Sequence, residues 1–359
     1  MFVAKLLVLI GLALGLSLSP CLAQDPFYKG KRINVLINFD AGSAPDIEGR
    51  VFARHFAKHI DGQPQLIVQN NSGAGGVNGT QYLGEVAPKD GTAFGYLTGS
   101  AWNFASQPQL FRVDYRNYEF IGFQGGTVVY YVRTDVPPGI KQPADILKAQ
   151  GLISGGIAAT TGRDLAIRLT LDILGVPFRH VTGYRSGERV QLAIQRSEVH
   201  FSAATTPGYR GTIEPAMVKQ GSVIPLFADP MWDGQTFSNS RQLDGLAIEP
   251  YQEFYKRVKG GASPSGIKWD TYLALTTLNG TMQRLFALPP GAPPAAVAAL
   301  RTALGRLEHD KAFAEDIIKT VGYMPEYEAG PNTNDKVRAA LGVRSEIRDF
   351  VADYIKAGN

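Results

Sequence analysis

Cysteine is nearly absent: the chain of 359 residues has one, Cys21, inside an apolar N-terminal segment. No disulfide framework can form, so stability has to come from a packed core. At about 300 residues a chain buries roughly 75% of its unfolded surface, which is enough. Basic runs are missing too. Lys and Arg exceed Asp and Glu by 36 − 32 = 4, and the excess is spread along the sequence. This lacks the electrostatic footprint of a nucleic-acid binder or of a protein held on anionic lipid. Neither a G-x-S-x-G elbow nor a Gly-Lys-Ser/Thr phosphate loop occurs. Triads also assemble from distant residues, so an enzyme stays open as an alternative.

What is present begins at the N-terminus. Lys5 precedes an apolar core from Leu6 to about Leu16, and small residues follow to Ala23. This is the layout of a secretory signal peptide, and the core falls short of the ~20 residues a membrane span needs. Residues 1–23 are therefore expected to be removed, leaving 359 − 23 = 336 residues without cysteine. The segment Leu18-Ser19-Pro20-Cys21 resembles a bacterial lipoprotein signal with lipid on Cys21, although Pro20 stands where Gly, Ala or Ser is usual. The expected location is the periplasm.

Beyond the leader, strand and helix patterns alternate. Residues 32–39 are β-branched and apolar, 46–60 carry apolar residues at helical spacing, and 64–70 read as a second strand. A Gly-rich turn, a helix over 77–87 and a strand over 92–100 follow, which predicts a parallel βαβαβ sheet. A second run from Phe120 repeats the theme, with Leu165, Leu169, Ile173 and Leu174 on one face of a helix over 160–175. Residues 231–270 lack a period and read as an insertion or long loop. The tail from 295 is amphipathic helix. The expectation is an α/β fold of two lobes, 24–120 with 225–359 and 121–224, and a ligand cleft between them.

The turn "NNSGAGG" (70–76) sits where a dinucleotide fingerprint would, but Asn78 occupies the place of its last glycine. His55 and His59 lie four apart on a helix without the Glu of a zinc motif, so a solvated helix face is expected and no metal. Three strand-to-helix turns, 40–46, 70–76 and 156–162, are built of small residues and hydroxyls such as Thr160 and Thr161. Free N–H groups at helix starts favour a negatively charged ligand.

These segments resemble the solute receptors of tripartite tricarboxylate transporters, the Bug or TctC family. Ala41, Gly42 and Asp46 match the family's first turn, with Asn38 and Ser43 departing from it. Gly73 to Gly76 match the second turn, and Pro88, Asp90 and Gly91 the third. Residues 155–201 are similar to the family's second-lobe core. Tyr184-Arg185-Ser186-Gly187 stands for its Tyr-Lys-Gly, and Ala204-Thr205 for its Asp-Asn. The resemblance implies a periplasmic binding protein fold, type II-like, closing on a di- or tricarboxylate, an amino-acid carboxylate or an aromatic acid. It implies contacts from Phe39, Ala41, Gly42, Ser43 and Gly75, from Ser100, Ala101 and Trp102, and from Thr160, Thr161, Gly162, Tyr184, Thr205 and Thr206. Asp46 is expected to organise its helix start. Ala204 and Trp102 suggest an apolar pocket suited to an aromatic or longer-chain acid. Membrane permease subunits are the implied partner of a monomer that needs no cofactor or catalysis. An exported hydrolase and a ligand sensor are the alternatives.

Overall fold

The computed structural model describes residues 25–184, 186–232, 236–238 and 240–358. The expected signal peptide, Cys21 and Arg185 lie outside the described residues.

Thirteen strands are described: β1 (Arg32–Ile37), β2 (Gln65–Asn70), β3 (Ala93–Thr98), β4 (Glu119–Gly125), β5 (Val128–Arg133), β6 (Leu152–Gly155), β7 (Phe178–Val181), β8 (Phe201–Thr205), β9 (Val223–Ala228), β10 (Met231–Trp232), β11 (Phe237–Ser238), β12 (Arg284–Leu288) and β13 (Glu326–Glu328). A six-stranded sheet has the order β13-β4-β12-β3-β1-β2, and a five-stranded sheet the order β7-β6-β8-β5-β9. In the first sheet β1 is parallel to β2 and β3, with Val35 opposite both Val68 and Phe94. The later strand β12 enters antiparallel between β3 and β4. The second sheet pairs β6 parallel with β7 and β8, while β5 runs antiparallel to β8 and β9.

Helix α1 (Ala44–His59) shows how sequence sets an element. Pro45 occupies its first turn, Asp46 sits near the positive dipole end, and Lys58 and His59 sit near the negative end. Its inner face buries Val51, Phe52 and Phe56, and Phe52 stacks on Phe286 of β12 with ring centroids 4.9 Å apart. His55 and His59 do not face water as expected. They reach Asp316 and Asp310 at 3.0 and 2.8 Å, because the helix that carries Asp316 packs along α1. Among the described residues no group of three His, Cys, Asp or Glu could hold a metal ion. No described helix is long and apolar enough to cross a membrane.

The chain passes from the first sheet to the second at Gly126 and Thr127 and returns through residues 277–283. These passages touch, with the Gly126 N–H donating to the Gly280 carbonyl at 3.0 Å. The expected lobe limits differ: Phe120 lies inside β4 of the first sheet and Pro225 inside β9 of the second. The first passage, around Gly126, has the look of an ordinary turn between strands, and the second runs straight on from the helix Ile267–Thr276, so neither marks a change of lobe in the sequence.

Residues 231–270 are not a structureless insertion. They contain the β10–β11 hairpin and a helix, Tyr251–Val258, with a second, Ile267–Thr276, beginning inside them. Tyr251 and Phe254 pack on Phe227 of β9 at 4.6 and 5.0 Å, and Trp269 stacks on Tyr272 at 5.5 Å. Long-range aromatic packing holds this segment, which a local hydrophobic period does not report. One continuous apolar cluster joins Leu97 and Leu285 of the first sheet with Tyr130, Val132 and Leu165 of the second lobe.

Candidate functional site

A cleft of about 1260 Å³ lies between the two sheets. Its first-lobe wall is made by the turns after β1, β2 and β3, the carboxyl ends of parallel strands where open α/β sheets take ligands.

Asn38, directly after β1, ties these turns together. Its side-chain amide donates to the carbonyls of Gly76 and Thr98 at 3.1 and 2.9 Å, and its oxygen accepts the Thr98 N–H at 2.9 Å. Gly76 has φ +94°, and a Cβ there would sit 2.4 Å from Asn38 Nδ2, so the turn admits no side chain. Asp46 does a similar task in the first turn. It accepts the Gly42 N–H at 2.8 Å and hydrogen bonds from Arg50 and Asn70. Burial pushes its pKa up, but these bonds and the Arg50 charge hold it below the usual carboxylate range. It is buried and bound to its own turn, away from the cleft lining.

The second-lobe wall is the turn between β6 and α4, where α2 (Val77–Glu85) and α3 (Ser100–Ser106) precede α4 (Gly162–Leu174) in the chain. Thr161 caps α4: its Oγ1 accepts the Asp164 N–H at 3.3 Å and donates to Oδ1 at 2.8 Å. Asp164 also accepts from the Ile157 N–H at 2.7 Å and from Thr182 at 2.6 Å. Behind it His180 lies 3.1 Å from Asp164 and 2.9 Å from Ser154. This Ser–His–Asp chain has the composition of a hydrolase triad. Ser154 and Asp164 are wholly buried, however, and none of the three lines the cleft. Burial raises the Asp164 pKa, and the bonds from His180, Thr182 and Thr161 outweigh it and hold it low.

Two charged residues that the sequence reading missed lie in the cleft. Arg163, in the first turn of α4, is half-buried and makes no hydrogen bond or ion pair with the described residues. Its Nη1 reaches over Gly187, where an added Cβ would lie 3.3 Å away. Burial pulls its pKa below the ordinary guanidinium value. Asp229 follows β9. Its Oδ1 accepts from Tyr130 at 2.8 Å and from Tyr272 at 2.6 Å. Burial pushes its carboxyl up to about 6, against both tyrosines and the charge of Arg163. In the first lobe Glu48 and Arg284 form a buried ion pair at 2.9 Å on the cleft wall. Ser43 Oγ, Thr98 Oγ1 and Gln283 Oε1, all of cleft residues, are buried without a hydrogen-bond partner among the described residues.

Of the residues expected at the site, Phe39, Gly42, Ser43, Gly75, Thr161, Gly162 and Thr205 line the cleft. Ala41, Thr160 and Tyr184 lie outside the lining. Ser100, Ala101 and Trp102 are buried in α3 beneath the wall, and the Trp102 ring sits under Gly162 as core. The apolar expectation drawn from Trp102 is corrected accordingly: the ring packs below the cleft floor. Thr206 is also buried, donating to the Thr127 carbonyl at 3.1 Å across the crossing. Ala204 does line the cleft, together with Ala203.

Two packed α/β lobes enclose a cleft at their strand ends, and the chain has the fold of the TctC and Bug periplasmic binding proteins. It is similar to a TctC solute-binding protein from Polaromonas, with TM-score 0.65, 16% identity, and coverage of 91% of this chain and 99% of that one. It is also similar to a Rhodopseudomonas palustris protein with adipate, with TM-score 0.61, 16% identity, and coverage of 91% and 98%. A curated Cupriavidus necator protein described as "UPF0065 protein in gbd 5'region" is 28% identical over 216 residues. Those residues make up 58% of this chain and 63% of that protein, so the match spans less than two thirds of the relative. No family model matches the chain.

Proposed function

We propose that this protein is an extracytoplasmic solute receptor of the tripartite tricarboxylate type, which binds a small organic carboxylate and passes it to membrane permease subunits. The observation that carries this reading is Arg163, a cation without a partner among the described residues, inside a cleft between two lobes. A carboxylate supplies the missing partner through charge-assisted, two-pronged hydrogen bonds. The adipate in one fold neighbour supports the same ligand class. The receptor acts as a periplasmic monomer without a cofactor, released from its signal peptide after Ala23. It closes by hinge motion at the touching passages near Gly126 and Gly280. The burial of Ser154, His180 and Asp164 outside the cleft lining supports binding without catalysis.

A thermal-shift screen of organic acids, amides and sugars tests this, because a ligand of the folded state raises the melting temperature. At least one acid is expected to do so. Stabilisation by sugars or amides alone overturns the proposal.

A further inference from the structure

The cleft is not a general anion trap. Among the described residues its lining carries four cationic side chains, Arg163, Arg210, Arg284 and Lys319, and four anionic ones, Asp40, Glu48, Glu188 and Asp229. Two of these eight explain one another: Arg284 and Glu48 are paired at 2.9 Å. Arg210 is held by the carbonyls of Gln242 and Asp244. Asp229 is different. It is 6% exposed, and both tyrosine hydroxyls fall on Oδ1, at 2.8 and 2.6 Å. Oδ2 has no hydrogen-bond partner among the described residues. An unpaired carboxylate oxygen that opens onto a binding cleft is an acceptor that a donor-bearing ligand can satisfy and a plain polyacid cannot.

Arg163 and Asp229 share the second-lobe side of the cleft, and the Arg163 charge favours the ionised form of Asp229, yet they form no ion pair. They stand as a cation and an anion that line one cleft without pairing. We propose that Arg163 and Asp229 are the specificity-determining pair of the site, selecting a carboxylate that also carries a cationic amine: Arg163 takes the carboxylate and Asp229 the ammonium. The inference rests on the carboxylate reading above and narrows it. A plain dicarboxylate meets Arg163 but sets a second anion near Asp229, and like charges in a desolvated site repel. An ammonium turns the same position into a charge-assisted hydrogen bond.

Isothermal titration calorimetry of the mature protein at about pH 7.5 tests this with two matched series. One is succinate, malate and aspartate; the other is adipate and 2-aminoadipate. In the series that fits the cleft, the amino acid is expected to bind about tenfold or more tightly than its unsubstituted parent. Asp229→Asn should weaken the amino acid and strengthen the parent, closing the gap. A merely structural role for Asp229 would move both in the same direction. Arg163→Met should weaken both by about tenfold or more. The wild-type comparison needs no variant and so stands even where a variant folds poorly.

A parent acid that binds the wild type as tightly as its amino counterpart overturns the inference, as does a gap that survives Asp229→Asn. In those cases the carboxylate receptor itself still stands. If no acid of either series binds while a sugar or amide does, the carboxylate reading falls and takes this inference with it.

Discussion

Asp229 bears a cost in the ligand-free protein that Tyr130 and Tyr272 only partly offset. Its pKa in the folded state, about 6, is above the ordinary 3.8, so the folded chain holds this proton more tightly than the unfolded chain. Its contribution to stability therefore falls as pH rises through the window from about 4 to 6, and the loss is complete above it. The groups that face it are Tyr130, Tyr272 and Arg163. Asp229→Asn keeps an acceptor for both hydroxyls and removes the charge. In denaturant titrations without ligand the variant should gain on the wild type by up to about 3 kcal/mol above pH 6, with the gain shrinking toward pH 4. A constant difference across that window would refute the burial account. None of this was legible in the sequence. The partners lie 99 and 43 positions away, and "FADP" has no motif to mark its aspartate. Arg163 was hidden for another reason: it follows a helix cap, where a charged residue usually means only a solvated first turn.

At the scale of elements, α1 is bound to β12 through one ion pair. Glu48 accepts from Arg284, Gln124 and Tyr323, and both members of the pair are almost fully buried. Taking one charge away leaves the other desolvated and alone, so Glu48→Ala should destabilise the fold by about 3–5 kcal/mol in chemical denaturation. A loss under 1 kcal/mol, the range of exposed pairs, would show that water reaches Arg284. Helix α2 offers a steric counterpart. A Cβ on Gly79 would lie 2.3 Å from the Asn71 carbonyl oxygen, so Gly79→Ala should lower the melting temperature. On the helix Pro294–Leu307, Gly305 is exposed with open space around it, and Gly305→Ala should raise stability by about 0.5–1 kcal/mol. Most elements of both sheets were readable, since β-branched runs and helical spacing record burial locally. The region 231–270 was not, because Tyr251 and Phe254 pack on Phe227 of β9 while Trp269 and Tyr272 pack on Tyr251, contacts between separate elements that a local period does not record.

For the whole molecule, the closure proposed above turns the lobes about the paired passages at Gly126 and Gly280, beside the apolar cluster they share. Small-angle scattering should show a smaller radius of gyration on adding an acid that the protein binds. An unchanged radius at saturation would argue that the cleft takes its ligand without closure. The α/β class and the two-lobed plan were visible in the order of strand and helix patterns. Where the chain changes lobes was not, because the break at residues 124–127 between β4 and β5 looks like an ordinary turn within one sheet although the two strands belong to different sheets.

The last helix, Ser345–Ala357, packs on Ile267–Thr276 and on Ser100–Ser106 and also reaches α4. There the Arg168 guanidinium donates to the Tyr354 carbonyl at 2.9 Å and lies over the Tyr354 ring, whose hydroxyl bonds Asp172. A segment near the end of the chain thus covers a helix that was made almost two hundred positions earlier. While the chain is still emerging, whether from a ribosome or a translocation pore, that seam has no cover. Its docking waits until the residues around Tyr354 have been made, and a chain lacking them presents the bare seam to chaperones and proteases.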